Sequence, residues 1–177
     1  MARTQEVQHS ISAKEQPQVV QIDRDLYFGP IHPNNIGQLR RLNETILPIE
    51  YEEKFYNGIV KAPQDLVKLA HYKDLTVGSI CCRLETKEDG EMMYIMTLGV
   101  LPKYRGMGIG TKLVEYITEC AKTVYHCKGV RLHVWVTNTK AMDFYKKLGF
   151  TVGEVAKGYY KNVSPPDAHI VEKLFVE

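Results

Sequence analysis

The spacing of apolar and polar positions changes several times along the first hundred residues, and each change predicts a new element. Apolar residues three or four positions apart predict a helix that opens at residues 32–34 and buries Ile36, Leu39, Leu42 and Ile46. A second, short helix is expected over residues 52–59. Short apolar runs bounded by turn residues predict strands over residues 26–31, 65–72, 76–84 and 92–100.

The second half of the chain alternates helix and strand signals. One helix is expected from the glycine-rich run 105–110 to about Lys122, and another over residues 139–148, where Gly149 ends it. Strands are predicted over residues 130–136, 150–155 and 169–175. Because antiparallel strands come first and helix–strand pairs follow, the order predicts an α/β or α+β domain built on one mixed sheet.

Composition indicates one globular domain with a polar N-terminal segment. With 177 residues, of which 44% are apolar, the chain is long enough to bury one well-formed core. Residues 1–24 are polar and lack a sustained period, so we expect a flexible tail there and one domain over residues 25–177. The formal net charge of +2 gives no sign of the basic surface that nucleic-acid binding needs.

The cysteines lack the spacing of a metal site. We expect reduced, partly buried thiols and no metal at Cys81, Cys82, Cys120 and Cys127. No segment has the length and apolarity of a transmembrane helix, and the first 25 residues lack the apolar centre of a secretory signal. The expected location is therefore the cytoplasm or the nucleus, without membrane contact.

The run RGMGIG, residues 105–110, places three glycines between a predicted strand and a predicted helix. Free N–H groups and the helix dipole at such a helix start attract an anion, so the run predicts a phosphate site. Its Arg-x-x-Gly-x-Gly spacing fits neither a Walker loop nor a dinucleotide fingerprint. A glycine-rich turn without a ligand is the alternative reading, because glycine also serves turns by allowing positive φ.

Several segments around this loop carry a family resemblance. They are YIMTLGV at residues 94–100, RLHV at 131–134, Asn138, DFYKKLGF at 143–150, and Tyr159–Tyr160. With the loop, they resemble the GCN5-related N-acetyltransferase (GNAT) superfamily. Within it they resemble the branch of protein N-terminal acetyltransferases that includes the catalytic subunit of the NatE complex. The resemblance covers about residues 27–174 and implies a single GNAT domain with a mixed, mostly antiparallel sheet whose central strands splay.

The resemblance implies acetyl-coenzyme A as the cofactor. Its pantetheine arm is expected on exposed strand backbone and its diphosphate on the glycine loop, with a tyrosine and an asparagine lining the same groove. The residues that this assigns to the cofactor are Leu98, Gly99, Val100, Arg105, Gly106, Met107, Gly108, Ile109, Gly110, Thr111, Asn138 and Tyr145.

The resemblance also implies a catalytic pair, Tyr94 and His133, that relays the proton of the attacking amine by way of a water molecule. Taken alone, a strand histidine fits a half-buried core residue better than a catalyst, and the matching segments RLHV and YIMTLGV are what favour the catalytic role. Tyr145 is a candidate proton donor to the leaving thiolate, and packing of its ring against the sheet is the alternative.

On the substrate side, the resemblance implies an apolar slot for the first side chain of a peptide and tyrosine hydroxyls that hold the peptide backbone. The residues assigned to it are Leu47, Pro48, Ile49, Tyr51, Met96, Tyr159, Tyr160 and Val163. An aromatic pair that covers a hydrophobic edge is the alternative for the two adjacent tyrosines. The branch usually has Phe-Pro-Val where this chain has Leu47-Pro48-Ile49, and glutamine where it has Trp135. Because Leu47 is smaller than phenylalanine, we expect a roomier slot and broader tolerance at the first position.

These residues imply acetyl transfer to the α-amino group of protein N-termini, with preference for a retained methionine followed by a hydrophobic or varied residue. A weak lysine-directed activity is compatible with the same site. The competing readings are a small-molecule acetyltransferase and a non-catalytic acetyl-coenzyme A-binding adaptor. Acidic residues that attract cationic small molecules are missing from the predicted entrance, and an adaptor is expected to lose Tyr94, His133 or the glycine loop.

The partners that the resemblance implies are the N-termini of nascent polypeptides and the NatA complex at the ribosome. In that complex, a helical-repeat scaffold subunit carries a second catalytic subunit. The branch is also linked to sister-chromatid cohesion.

Overall fold

Eight strands form one mixed sheet flanked by four helices in the computed structural model, which describes residues 19–176. None of the helices in this range is long and apolar enough to cross a bilayer. The strands are β1 Val20–Gln21, β2 Leu26–Gly29, β3 Val67–Tyr72, β4 Leu75–Lys87, β5 Gly90–Val100, β6 Gly129–Trp135, β7 Thr151–Ala156 and β8 Ala168–Leu174. The helices are α1 Ile36–Ile46, α2 Glu53–Lys61, α3 Ile109–Thr123 and α4 Thr139–Lys147, and a 3-10 turn spans Pro102–Tyr104.

The predicted helices and strands are all present, with ends that differ by a few residues. The expected tail needs correction at its C-terminal end, because Val20 and Gln21 pair with Phe28 and Tyr27 as strand β1. A two-residue strand leaves no apolar period in the sequence, so backbone pairing alone reveals it. Residues 1–18 of the expected tail lie outside the described residues.

The strand order is β1-β2-β3-β4-β5-β6-β8-β7, and every neighbouring pair is antiparallel except β5 and β6. The parallel ladder joins only Met92–Tyr94 to Gly129–Arg131. Beyond these residues the two strands separate, as the resemblance predicted for the centre of the sheet. The separation leaves a cleft between the C-terminal halves of β5 and β6.

A bulge in β5 lies next to this separation. Cys81 of β4 is opposite Thr97, whereas the next residue, Cys82, is opposite Ile95, so Met96 has no partner of its own. A bulge bends its strand and increases the local twist. The bulge at Met96 therefore lies where β5 turns away from β6.

The core lies between the sheet and the helices. α3 contributes Leu113, Ile117 and Ala121, and the sheet contributes Val67, Leu69, Ile80 and Val130, all of which are fully buried. The four cysteines are free thiols in buried positions, as the sequence predicts. This packing holds α3 against the strands on which the cleft opens.

Candidate active site

The space between the separated strands is a cavity of about 160 Å³, called the cleft below. Five segments line it: the loop between α1 and α2, the end of β5, the end of β6, α4 with its N-cap, and the loop between β7 and β8. Eleven predicted site residues lie on its wall: Leu47, Pro48, Ile49, Tyr51, Met96, Leu98, His133, Asn138, Tyr145, Tyr160 and Val163. Residues far apart in sequence thus form one surface.

Tyr94 and His133 lie side by side at the base of the split. Tyr94 is on the last rung of the parallel ladder, and its hydroxyl is 2.9 Å from Nδ1 of His133. The same hydroxyl is 2.7 Å from the hydroxyl of Tyr159. The ring of Tyr159 stacks on the imidazole of His133 at 3.9 Å between centroids. Tyr159, predicted as a peptide contact, therefore also forms a connected polar cluster with the predicted catalytic pair.

Burial sets the protonation of this cluster. It lowers the pKa of His133 below its ordinary value, and the nearby charge of Arg131 lowers it further. Burial raises the pKa of Tyr94, and the hydrogen bond to Tyr159 adds to this effect. At pH 7 the imidazole is therefore neutral and able to accept a proton, while the Tyr94 phenol keeps its own.

Two ion pairs flank the cluster. The guanidinium of Arg83 lies 4.7 Å from the centre of the Tyr94 ring and pairs with Glu85 at 2.7 Å. Arg131 contacts Glu172 of β8 through both Nε and an Nη atom, at 3.1 and 2.8 Å. A cation over the ring face holds the ring by its quadrupole, so Arg83 helps to fix the orientation of Tyr94.

The glycine loop ends in a helix start without a side-chain cap. Gly106 and Gly108 have φ values of +77° and +79°, which only glycine adopts readily, and Gly108 is the N-cap of α3. A Cβ atom added to either glycine would meet no protein atom within 4 Å. The first N–H groups of a helix have no partner within it. The loop therefore offers an open cradle of N–H donors that fits the diphosphate of acetyl-coenzyme A.

The other predicted loop residues have distinct surroundings. Nε of Arg105 donates a hydrogen bond to the carbonyl of Val100 at 2.9 Å and so ties the loop to the end of β5. Met107 is exposed, whereas the side chain of Ile109 is buried in the core, which leaves only its backbone for a ligand. The N–H of Thr111 belongs to the same uncapped first turn of α3.

One edge of β5 is open beside the cleft. Leu98, Gly99 and Val100 pair with β4 on one side, and no strand of the described chain pairs with their other side. That edge suits the pantetheine pairing that the resemblance implies. Packing against α1 explains why residue 99 is glycine: a Cβ atom there would lie 3.2 Å from the side chain of Ile46.

Asn138 and Tyr145 line the opposite wall of the cleft. The side-chain oxygen of Asn138 accepts a hydrogen bond from the N–H of Ala141 at 3.1 Å and so caps α4. Tyr145 is buried between Phe144 and Phe150, with edge-to-face contacts to both rings. Burial raises its pKa, so it stays protonated. Tyr145 therefore both packs against neighbouring rings and lines the cleft.

Aromatic residues surround the expected slot for a first side chain. Tyr51 packs against Phe55 at 4.4 Å between ring centroids, and Tyr160 packs edge-on against Tyr159. Burial raises the pKa of Tyr51 to about 12. Burial also raises the pKa of Tyr160, so the hydroxyls of Tyr51 and Tyr160 are neutral hydrogen-bonding groups beside an apolar wall.

The sequence left part of the cleft unassigned. The additional lining residues are Ile95, Thr97, Leu132, Val134, Trp135 and Ala141. Among them, Trp135 donates from Nε1 to the carbonyl of Pro165 at 2.7 Å, which ties β6 to the loop that carries Tyr159 and Tyr160. In the sequence, Trp135 stood out only because the branch usually has glutamine at this position.

Separated strands with an open backbone edge, an N–H cradle behind a glycine loop, and a neutral imidazole beside a tyrosine define a site for acetyl-coenzyme A-dependent acyl transfer. Comparison with known proteins gives the family. The chain belongs to the acetyltransferase (GNAT) family, whose model matches residues 36–150.

The individual relatives are similar over most of their length. N-alpha-acetyltransferase 50 of Danio rerio is 41% identical over 146 residues, which are 82% of this chain and 86% of that protein. Probable N-acetyltransferase san of Drosophila melanogaster is 42% identical over 146 residues, 82% of this chain and 79% of that one. The structure of Arabidopsis thaliana Naa50 in complex with the bisubstrate analogue CoA-Ac-MVNAL is 39% identical, with a TM-score of 0.79 over 86% of this chain and 100% of that chain.

Proposed function

We propose that this chain acetylates protein N-termini that retain their initiator methionine, followed by a hydrophobic or varied second residue. The chain is a protein N-terminal acetyltransferase, and acetyl-coenzyme A is its acetyl donor. The observation that carries the preference is the apolar slot of Leu47, Pro48 and Ile49, which faces Tyr160 and Val163 in the cleft that holds His133. The Arabidopsis relative supports it, since its bisubstrate analogue CoA-Ac-MVNAL begins its peptide with Met and Val.

In the proposed mechanism, Tyr94 and His133 remove the proton from the substrate ammonium by way of a water molecule. An N-terminal ammonium has a pKa of about 7.7–8.0, above that of the buried imidazole, so the proton transfer to His133 is uphill and is completed by the attack of the neutral amine on the thioester. With Nδ1 of His133 unprotonated, the Tyr94 hydroxyl donates to it and the Tyr159 hydroxyl donates to Tyr94. The relay is thus oriented before the substrate enters.

Acetyl-coenzyme A supplies the activated thioester. With the donor bound, the neutral amine would attack the acetyl carbon as the bond from that carbon to sulfur breaks, and the proton that the nitrogen releases as the amide forms would neutralise the departing thiolate. Tyr145 would donate a hydrogen bond to that sulfur and keep its own proton, since burial raises the pKa of its phenol. The backbone of Leu98 to Val100 and the first turn of α3 hold the donor in place during this exchange.

The proposed partner is the NatA complex at the ribosome. The proposed location is the cytoplasm and also the nucleus, and we propose a role in sister-chromatid cohesion. The resemblance to the NatE branch supports these proposals. Co-purification of the full chain with NatA subunits from ribosome fractions tests the partner, and its absence there would contradict the proposal.

Peptide acetylation tests the proposed preference. Peptides that begin Met-Leu, Ser-Leu, Ala-Leu and Asp-Leu, identical thereafter, are compared by kcat/KM, together with an N-terminally blocked peptide that contains lysine. Burial of the methionine side chain contributes about 1.5–3 kcal/mol, which favours Met-Leu over Ser-Leu by roughly 10- to 150-fold. Asp-Leu should be slowest, because its carboxylate loses water in an apolar slot. Equal or higher kcat/KM for Ser-Leu or Asp-Leu would contradict the preference.

A further inference from the structure

An ion pair between β6 and β8 lies beside the proposed base and has no part in the steps described above. It joins Arg131 to Glu172 through two hydrogen bonds to one carboxylate oxygen, at 3.1 and 2.8 Å. We propose that Arg131 and Glu172 are positioning residues that act through His133: the guanidinium keeps the imidazole free of a proton, and the carboxylate limits this effect. This inference rests on the proposed function, because it concerns the base of the same relay.

Arg131 and His133 are on the same face of β6. They are two residues apart in a strand, where side chains of one face follow each other at a spacing of roughly 7 Å. Arg131 is also opposite Tyr94 on the last rung of the parallel ladder, and the Tyr94 hydroxyl is 2.9 Å from Nδ1 of His133. The strand pair that carries the relay therefore carries this positive charge as well.

Glu172 is the cross-strand neighbour that holds the guanidinium. It is opposite Arg131 in the β6–β8 ladder, whereas the neutral Ile170 is opposite His133. Glu172 is thus diagonal to His133, at a distance of roughly 7–8 Å between Cβ atoms. The side chains of Arg131 and Glu172 are only 27% and 31% exposed, so salt screens their charges less than it screens those of a fully exposed pair.

Charges on several elements act on the same imidazole. Burial lowers the pKa of His133 most, and the charge of Arg131 is the next cause. On β4, Glu85 opposes the effect of its ion-pair partner Arg83, 2.7 Å away. The titratable and charged groups around the imidazole are Arg83, Glu85 and Lys87 on β4, Tyr94 on β5, Arg131 on β6, Tyr159 in the loop before β8, and Glu172 on β8.

The two charges of the pair have opposite effects on proton transfer. A nearby positive charge keeps an imidazole unprotonated at lower pH, so Arg131 widens the pH range in which His133 can act as a base. The same charge makes the proton transfer from the substrate ammonium more uphill. A base is most effective when its pKa is near the working pH, so Glu172 preserves basicity that Arg131 alone would remove.

The test measures the pKa of His133 by NMR titration of the imidazole C–H signals of the full chain without substrate. Absence of one signal in His133→Gln identifies the residue. Arg131→Gln should raise this pKa by about 0.5–1, the effect of a charge at roughly 7–9 Å and an effective dielectric constant of about 40. Glu172→Gln keeps an oxygen that can accept from Arg131 and should lower the pKa of His133 by a smaller amount, about 0.3.

Two further variants separate charge from structure. Arg131→Lys keeps the positive charge but loses the paired hydrogen bonds, so the pKa of His133 should stay within about 0.2 of the wild-type value. Arg40→Gln is the matched control, because Arg40 pairs with Glu53 at 2.6 Å and neither residue lines the cleft that holds His133. It should leave the pKa of His133 unchanged.

Kinetics then connect the charge to the reaction. The profile of kcat/KM for a Met-Leu peptide is measured from pH 5 to pH 9 with the same variants. The peptide ammonium titrates identically in every assay, so a difference between variants comes from the enzyme. The break at lowest pH should move up in Arg131→Gln and down in Glu172→Gln, by the amounts that NMR gives.

Each outcome decides the proposal. Loss of the ion pair as a structural link would affect Arg131→Gln and Glu172→Gln alike, so shifts of the same sign would overturn it. An unchanged pKa in Arg131→Gln, or an equal shift in Arg40→Gln, would also overturn it. Thermal unfolding curves exclude loss of folded protein as the cause. The expected NMR shifts with an unmoved break in kcat/KM would instead contradict the proposed relay through His133, so the two failures are distinct.

Discussion

The hydroxyl of Tyr94 connects the polar side chains at one end of the cleft. It contacts His133 on β6 and Tyr159 in the loop before β8, so residues from three segments depend on one oxygen atom. Tyr159 also contacts the cluster through its ring, which stacks on the imidazole of His133. Single substitutions can therefore separate the hydrogen bond from the ring packing.

Tyr94→Phe removes both hydrogen bonds and keeps the ring. We expect kcat to fall by roughly 10²-fold, the usual contribution of a positioned acid or base, with a smaller change in KM. Tyr159→Phe keeps the Tyr94–His133 contact and the stacking, so kcat should fall less and KM for the peptide should rise. Steady-state kinetics at pH 7 with a saturating acetyl donor measure both. Near-wild-type turnover of Tyr94→Phe would remove Tyr94 from the relay.

At the scale of elements, the first turn of α3 combines an open N–H cradle with a position that tolerates substitution. Gly108 requires a positive φ, but Gly110 does not, and a Cβ atom there would make ordinary contacts with Phe144 and Val100 at 3.5 and 3.8 Å. Gly110 thus accepts a side chain where Gly108 would be strained. An acidic residue in the first turn also favours the helix dipole.

Gly110→Asp should weaken binding of acetyl-coenzyme A and leave the fold intact. A carboxylate about 6 Å from the diphosphate, at an effective dielectric constant of about 40, costs about 1.4 kcal/mol per unit charge, or about tenfold in affinity. Gly110→Asn has nearly the same shape without the charge and should bind close to wild type. Calorimetric titration measures both, and equal affinities of the two variants would refute the diphosphate assignment.

Much of the element order was predictable from the sequence, because alternation and helical spacing mark long elements strongly. Strand β1 was not, since two paired residues carry no period. The sequence also did not show why residue 99 is glycine, because only the folded structure shows that Ile46 occupies the space beside it. Likewise, the contact of Tyr94 with Tyr159 joins residues 65 positions apart.

At the scale of the whole molecule, buried ionisable groups limit the pH range of stability. Burial lowers the pKa of His71 and His133 and raises the pKa of all four thiols. Below about pH 6.5 the unfolded chain binds more protons at these histidines than the folded chain does. Above about pH 8.5 the unfolded chain releases thiol protons that the folded chain retains. Both differences favour unfolding.

We therefore expect the free energy of unfolding to be highest between about pH 6.5 and 8.5 and to decrease on both sides. Urea denaturation of the reduced chain from pH 5 to pH 10 measures this dependence. His133→Gln should make the acidic decrease shallower, because the variant has one fewer histidine whose protonation differs between the states. Stability that stays constant or increases from pH 6.5 down to pH 5 would contradict the expectation.

The short parallel ladder also determines how the two halves of the sheet can move. Within residues 19–176, only Met92–Tyr94 and Gly129–Arg131 join β1–β5 to β6–β8 by strand pairing, so a rocking motion of one half against the other would pivot at this ladder. Tyr94 lies on its last rung, and His133 is two residues beyond Arg131. Points near a pivot move least. Such a motion would widen the cleft at its far end, to admit a peptide or release a product, and would leave the Tyr94–His133 distance of 2.9 Å nearly constant.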